Sequence, residues 1–223
     1  MKGRIAEIFE SIQGEGLYFG ERQLFVRFYG CNLKCGFCDT QLPGYKVYEP
    51  QELFDEIKRY AWYCHSISFT GGEPLLQKDF LKEILALSRD AGFRTYLETN
   101  GTLAEELGEV IDYLDIVSMD IKLPSSTGDS AYWEKHNRFA QVASRKELLV
   151  KIIVCKSSCK DDFKKAVDLM SEYKDRIVMV LQPNTFEQGK ALHNKIEEFK
   201  GICEEEEFVS CVIPQMHKVI SIK

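Results

Sequence analysis

The sequence predicts an α/β protein whose mainly parallel sheet is wound as a partial (β/α)6 barrel. Three observations lead there. Short apolar runs rich in Val, Ile, Phe and Tyr alternate with amphipathic segments of helical period, and such alternation builds β-α units around a parallel sheet. Six such units can be read along the chain, fewer than the eight that close a full barrel. The polar motifs fall directly after the apolar runs, at the strand ends where parallel sheets present their loops.

The elements follow in order. Residues 23–30, 66–70, 95–99, 116–120, 149–154 and 177–182 are continuous apolar runs of strand length, as strands covered on both faces are. Helical patterns fill residues 50–60, 78–91, 102–113, 132–147, 160–173 and 188–199. In the second of these Phe80, Leu81, Ile84, Leu85 and Leu87 fall on one stripe. With 223 residues and no Pro/Gly/Ser-rich linker, repeat or low-complexity stretch, the chain reads as one domain, 1–223. Its expected parts are an N-terminal segment 1–20, a barrel 21–185 and an extension 186–223.

Composition narrows the function. A 44% hydrophobic content excludes a disordered chain, and a net charge of −6 argues against a broad nucleic-acid surface. The acidic run from Glu204 to Glu207 reads as a solvated turn. No stretch approaches a membrane span, and the start of the chain lacks the layout of an export signal. The eight cysteines are clustered, which fits reduced thiols and a cytoplasmic location better than disulfides.

The most specific signal is Cys31-Asn-Leu-Lys-Cys35-Gly-Phe-Cys38, a C-x3-C-x2-C loop after the first apolar run. Three close thiolates without a fourth can hold three irons of a cubane cluster and leave one iron open to a small molecule. Structural zinc wants four ligands, and no Cys or His lies between Cys38 and Cys64. The plain alternative is three reduced thiols that merely crowd one loop. Thr70-Gly71-Gly72-Glu73-Pro74 follows the second run; paired glycines let the backbone approach a ligand, or simply make a strand-to-helix turn. Glu98 and Asn100 stand at the third strand end, as ligand contacts or as a helix cap. Ser118, Asp120 and Lys122 stand at the fourth, and Gln182 at the sixth. Arg27 lies in Phe25-Val26-Arg27-Phe28, where a guanidinium is costly unless an anion pairs with it. That anion is a ligand carboxylate held by the planar fork, or Glu10 or Glu15 of the same chain.

The cysteine spacing, with Phe37 before the third cysteine, resembles the cluster loop of the radical S-adenosylmethionine (SAM) superfamily. Ile12-Gln13-Gly14-Glu15-Gly16, Arg27, Cys38-Asp39-Thr40 and the Gln215-Met216-His217-Lys218 segment narrow the resemblance to the 7-carboxy-7-deazaguanine synthase family. The resemblance implies a partial barrel of the radical SAM type and a carbon-nitrogen lyase. Its reaction converts 6-carboxy-5,6,7,8-tetrahydropterin to 7-carboxy-7-deazaguanine with release of ammonia, in queuosine or other 7-deazapurine biosynthesis and so in a tRNA-modification pathway. It implies a [4Fe-4S] cluster on Cys31, Cys35 and Cys38, whose open iron chelates SAM. SAM is then cleaved reductively to a 5'-deoxyadenosyl radical that takes a hydrogen from the substrate. Phe37, Cys38, Asp39, Gly72, Glu98, Asn100, Ser118, Lys122 and Gln182 would border SAM. Ile12, Gln13, Gly14, Glu15, Arg27 and Thr70 would meet the pterin, and Thr40 would hold Mg²⁺. An external one-electron donor such as flavodoxin or ferredoxin, and a homodimer, are the expected partners.

Two other readings share parts of the pattern. A glycyl-radical-enzyme activase has the cysteine spacing and the size, but acts on a protein backbone. A non-catalytic iron-sulfur or zinc module would leave the strand-end motifs without a purpose. Four remaining features are expected to be plain structure: Cys155 and Cys159 as helix-edge thiols, Cys64 and His65 as unconnected neighbours, His136 as a surface histidine on an amphipathic helix, and Tyr132 with Trp133 as a packing patch, within the chain or at a subunit contact.

Overall fold

Side-chain alternation decides what each strand faces, and here it separates an apolar layer from a polar interior. The structure, a computed structural model, describes residues 1–40 and 42–219, leaving aside the side chains of His217 and Val219. The sheet opens with β1 (Gly3–Ile12), which pairs antiparallel with β2 (Arg22–Phe28) on one side and β3 (Lys46–Tyr48) on the other. There follow β4 (Ser66–Gly71), β5 (Thr95–Thr99), β6 (Ile116–Ile121), β7 (Glu147–Val154), β8 (Met179–Pro183) and β9 (Ser210–Val212). The nine strands form one sheet in the order β3-β1-β2-β4-β5-β6-β7-β8-β9, parallel from β2 onward. The sheet is not closed, since β3 and β9 are its edges.

The helices are α1 (Pro50–Ile57), α2 (Lys78–Asp90), α3 (Ala104–Val110), α4 (Pro124–Thr127), α5 (Trp133–Ala143), α6 (Lys160–Met170), α7 (Lys190–Glu205) and α8 (Met216–Val219). Glu49 and Glu52 form a reciprocal cap at the start of α1, where Pro50 occupies the first turn and needs no N–H partner. Phe80, Leu81, Ile84 and Leu85 of α2 are buried, the face that the period predicts.

One large cluster holds Leu24, Val26 and Phe28 of β2, Ile67 and Phe69 of β4, Val117, Met119 and Ile121 of β6 and Val150 and Ile152 of β7 against these helices. The alternate positions turn inward. Near the strands' N-terminal ends the interior is apolar: Tyr96, Ile116 and Leu149 pack together with Tyr18. Tyr18 donates to Glu147 at 2.6 Å and accepts from Arg94 at 3.0 Å, which fixes this floor. Toward the C-terminal ends the inward residues are Arg27, Thr70, Glu98, Ser118, Asp120, Lys151 and Gln182, and they line a cavity of about 300 Å³.

All six expected strands appear, consecutive in the sheet. The structure adds strands outside that set. Residues 3–12, expected only as part of a leading segment, are a sheet strand, and β3 and β9 are too short to stand out in the sequence. The expected helix 132–147 ends at Ala143, because Glu147 already pairs with Ile116 as the first residue of β7. Glu204 to Glu207 is exposed and ends α7, as expected of a solvated turn. His136 corrects its expectation: it is fully buried, not on the surface.

Candidate active site

The cysteine loop is held against the cavity by its neighbours' backbone. After β4, Gly72 N–H donates to Phe28 O at 3.1 Å and Glu73 N–H to Gly30 O at 2.8 Å. A Cβ on Gly71 would meet Phe28 O at 2.3 Å, and one on Gly72 would meet Gly30 O at 2.0 Å. The glycine pair therefore brings this turn against the cysteine loop itself, with Gly71 at φ +125°, a value that L side chains avoid. Glu73 is fully buried. It accepts from Leu75 N–H, Thr99 Oγ1 and Asn100 N–H at 2.8–3.1 Å. Burial pushes its carboxyl up to about 7 despite these donors.

From the next strand end Asn100 donates to Asn32 at 2.8 Å, Asn32 donates to Thr102 at 3.0 Å, and Thr102 donates back to Asn100 at 2.6 Å. This ring pins the cysteine loop to β5. Leu33 N–H lies 3.4 Å and Asn100 Nδ2 3.9 Å from Cys31 Sγ. Cys31, Cys35 and Cys38 all line the cavity. Burial raises the Cys35 thiol, with the charges of Cys38 and Cys31 adding to the rise and Lys122 opposing it. Among the described residues no three His, Cys, Asp or Glu side chains form a ready-made metal cage. The fit to a cluster rests on other features: three thiols of one loop on one cavity wall, N–H donors aimed at sulfur, and a nearby buried ammonium. These are the surroundings that stabilise a sulfur-ligated anionic centre.

The residues expected to meet a substrate line the same cavity. Gln13 donates to Gln23 at 2.9 Å and to Glu98 at 2.8 Å, and Thr70 donates to the other Glu98 oxygen at 2.7 Å. Glu98, expected beside the cofactor, thus sits among the expected substrate contacts. Arg27 lines the cavity with its Nε 3.2 Å from Glu7 Oε2, its direct cross-strand neighbour, so the pairing acid is neither Glu10 nor Glu15. Its guanidinium also lies 5.5 Å from the Phe9 ring centroid. Glu7 balances the charge without lying in line with the Nε–H, which is buried and lacks a hydrogen-bond acceptor.

Glu15 pairs instead with Lys151, which none of the sequence motifs contains. Lys151 Nζ is also 3.2 Å from Asp120, and Asp120 accepts from Lys122 Nζ at 2.7 Å. Burial raises the Glu15 carboxyl, and the Lys151 charge and hydrogen bond outweigh it, holding the group below its ordinary value. Asp120 is likewise lowered by its two lysines against its burial, as a member of this ion-pair group. The signal for Lys151 was in the sequence: Leu-Val-Lys-Ile-Ile puts a cation in an apolar strand, the same anomaly that marked Arg27. His136, expected on the surface, also reaches this site, and its neighbourhood offered no local cue. Its Nδ1–H donates to Gly101 O at 2.9 Å, and its Nε2 accepts from Lys122 N–H at 3.1 Å.

The C-terminal segment closes over this wall. Met216 N–H donates to Gly14 O at 2.9 Å, and Gln215 donates to Glu15 at 2.7 Å and to Asp39 at 3.2 Å. Lys218 lies 3.5 Å from Asp39. Residues 220–223 and the His217 side chain lie outside the described residues. Thr40, Ser118, Lys122 and Gln182 also line the cavity, as do Ile12, Gly14, Phe37 and Gly72. Cys155 and Cys159 do not; the first is buried beside Asn184 and the second precedes α6. No described helix is long and apolar enough to cross a membrane.

The comparisons with known proteins agree with this geometry. The sequence model of the Radical SAM superfamily matches residues 25–189. The 7-carboxy-7-deazaguanine synthase of Geobacter sulfurreducens is 37% identical over 204 residues, which cover 81% of each chain. That of Thermoplasma acidophilum is 34% identical over 220 residues, covering 97% of this chain and 96% of its own. The crystal structure of QueE from Escherichia coli shares the fold, with a TM-score of 0.66 at 22% identity over 95% of this chain and 94% of that one. With its superfamily match spanning β4 to β8 and its cysteine loop on the cavity wall, the chain belongs to the Radical SAM superfamily and, within it, to the 7-carboxy-7-deazaguanine synthase family.

Proposed function

We propose that this chain is a radical SAM carbon-nitrogen lyase that converts 6-carboxy-5,6,7,8-tetrahydropterin to 7-carboxy-7-deazaguanine with release of ammonia. One observation carries the reading: the three thiols of Cys31, Cys35 and Cys38 and the guanidinium of Arg27 open on the same cavity. Bound there, a [4Fe-4S] cluster and SAM would supply the electron and the hydrogen-abstracting radical. The protein's part is to hold the pterin, orient it and exclude water. Arg27 takes the 6-carboxylate, and Gln13, Glu15 and Thr70 stand along the ring with Ile12 and Gly14. Phe37, Asp39, Gly72, Asn100, Ser118 and Lys122 border SAM. Thr40 offers a hydroxyl to Mg²⁺, which keeps most of its ligands as water or substrate oxygens.

The whole chain works as one unit in this reading, with segment 1–20 and the extension after residue 185 closing the barrel mouth. A cavity of about 300 Å³ suits a bicyclic substrate better than a protein backbone. The chain is a cytoplasmic homodimer that draws electrons from flavodoxin or ferredoxin and feeds 7-deazapurine synthesis, including the queuosine of tRNA. The test is anaerobic reconstitution followed by incubation with the carboxylated pterin, SAM, Mg²⁺ and dithionite. A product with the mass of 7-carboxy-7-deazaguanine supports the reading, and recovery of unchanged pterin alongside cleaved SAM refutes it.

A further inference from the structure

Lys151 stands between two carboxylates that come from different parts of the site. Asp120 is its partner in register on the neighbouring strand β6, 3.2 Å from Nζ, so the sheet itself fixes that pair. Glu15 comes from the turn between β1 and β2 and pairs with the same Nζ. Burial works against a charge here, but the charges of Asp120, Glu15 and Glu98 outweigh it and keep Lys151 protonated. Each of the two bridged acids has a second partner, and these differ in kind. Glu15 accepts from Gln215 at 2.7 Å, a neutral amide that brings no charge. Asp120 accepts from Lys122 Nζ at 2.7 Å, so it is shared by two cations. Lys122 lies on the side of the cysteine loop, with its Nζ 5.4 Å from the Phe37 ring centroid.

We infer that Lys151 is a positioning residue that couples the substrate and SAM sites, because its division between Glu15 and Asp120 sets how far Lys122 is free to meet the SAM carboxylate. The inference rests on the reading above, in which Glu15 meets the pterin and Lys122 borders SAM. The sign of the coupling follows from charge. N–H donors of a bound pterin that occupy Glu15 weaken its hold on Lys151. The ammonium then settles on Asp120, where it competes with Lys122 for one carboxylate. Lys122, held less firmly, turns to SAM. Charges this close and this well covered are little screened, so a change at one member is felt by the next. Pterin therefore strengthens SAM binding, and by linkage SAM strengthens pterin binding by the same factor. A filled site is favoured over one that holds SAM without a substrate.

The experiment titrates SAM into the reconstituted enzyme by equilibrium dialysis, without reductant so that SAM stays intact, in the absence of 6-carboxytetrahydropterin and at saturation with it. In wild type the pterin should tighten SAM by about fivefold or more, the lower end of the usual range for coupled sites. Two substitutions of the same ion pair should then move SAM in opposite directions. Glu15→Gln leaves Lys151 to Asp120, so SAM alone should bind about fivefold tighter than in wild type, with little further gain from pterin. Lys151→Met leaves Lys122 as the only cation on Asp120, so SAM should bind more weakly and respond to pterin by about twofold or less. Iron content is measured in each variant, so that a lost cluster is not mistaken for weaker SAM binding. A purely structural ion pair would weaken SAM in both variants or in neither, and either result overturns the inference. So does a full pterin response in Lys151→Met. If Lys151→Met does not fold, the tightening expected of Glu15→Gln decides the matter by itself. Failure of wild type to bind the pterin is a separate result: it refutes the proposed substrate, while Glu15→Gln still reads the bridge through SAM alone.

Discussion

The His136 imidazole accepts the backbone N–H of Lys122 at 3.1 Å while its other nitrogen meets Gly101 O at 2.9 Å. A helix residue thereby joins the C-terminal ends of β5 and β6, the two loops that carry Asn100 and Lys122 to the cavity. Both contacts are made at once only by the neutral ring with its proton on Nδ1. Burial enforces that state and lowers the ring's pKa to about 4.

A pH dependence of stability follows. The unfolded ring takes a proton below its ordinary value of 6.5, and the folded one only near 4. The contribution is therefore complete above 6.5 and is lost as the pH falls from there toward 4, by about 3 kcal/mol in all. Glu73 runs the other way, because its folded pKa is raised to about 7 from 4.5, so its contribution declines as the pH rises across that interval. The difference between wild type and His136→Gln isolates the histidine. Denaturant melts should show that difference narrowing between pH 7 and pH 4; a constant gap means the ring is not held neutral.

The cluster assignment predicts which thiols matter. Cys31→Ala, Cys35→Ala and Cys38→Ala should each lose most bound iron after anaerobic reconstitution, while Cys159→Ala, on an exposed thiol before α6, should keep it. Iron and sulfide analysis with the visible absorption spectrum reads the outcome. Retention of a full cluster in Cys35→Ala would remove the loop from consideration.

Lys151 is the sole bridge described between Glu15 and Asp120. Lys151→Met leaves two partly buried carboxylates without their shared cation, and breaking a buried pair costs about 3–5 kcal/mol, an upper bound here. Adding Glu15→Gln to Lys151→Met should recover part of that loss, because one stranded charge is gone. Urea unfolding of the single and double variants measures it, and equal stability of the two would show that Glu15 does not depend on Lys151.

Arg27→Ala should weaken pterin binding by roughly two to three orders of magnitude, in line with about 2–5 kcal/mol for a hydrogen-bonded charge contact. Arg27→Lys keeps the charge facing Glu7 yet loses the planar fork, so it should also bind poorly. Equilibrium titration decides the matter: a variant with wild-type affinity makes Arg27 a partner of Glu7 and nothing more.

Thr40→Ala should blunt the stimulation of pterin turnover by added Mg²⁺ and leave uncoupled SAM cleavage nearly as it was. The side chain lines the cavity next to Asp39, the acid that Gln215 and Lys218 hold. Small displacements of a substrate near a reactive centre are costly in rate. An unchanged Mg²⁺ response places the ion elsewhere.

The sequence by itself determined the layout. Continuous apolar runs and helical stripes are local patterns, so the six core strands and the buried face of α2 could be read directly. The cysteine loop was legible because its three thiols lie within eight residues of chain. Arg27 was legible because a cation in an apolar strand is locally anomalous, and Lys151 carried the same mark unread. Only the tertiary structure decided the partners. Glu7 faces Arg27 because of an antiparallel register across a bulge, and Glu15 reaches Lys151 from 136 residues away. Glu98 joined Gln13 and Thr70 because adjacent strands turn their inward side chains to one cavity. His136 sits on a helix whose stripe does not reveal that its ring closes two strand ends. Periodicity tells which face of an element is covered, whereas hydrogen bonds and ion pairs depend on how distant elements are brought into register, and that is set by the packing of the whole sheet.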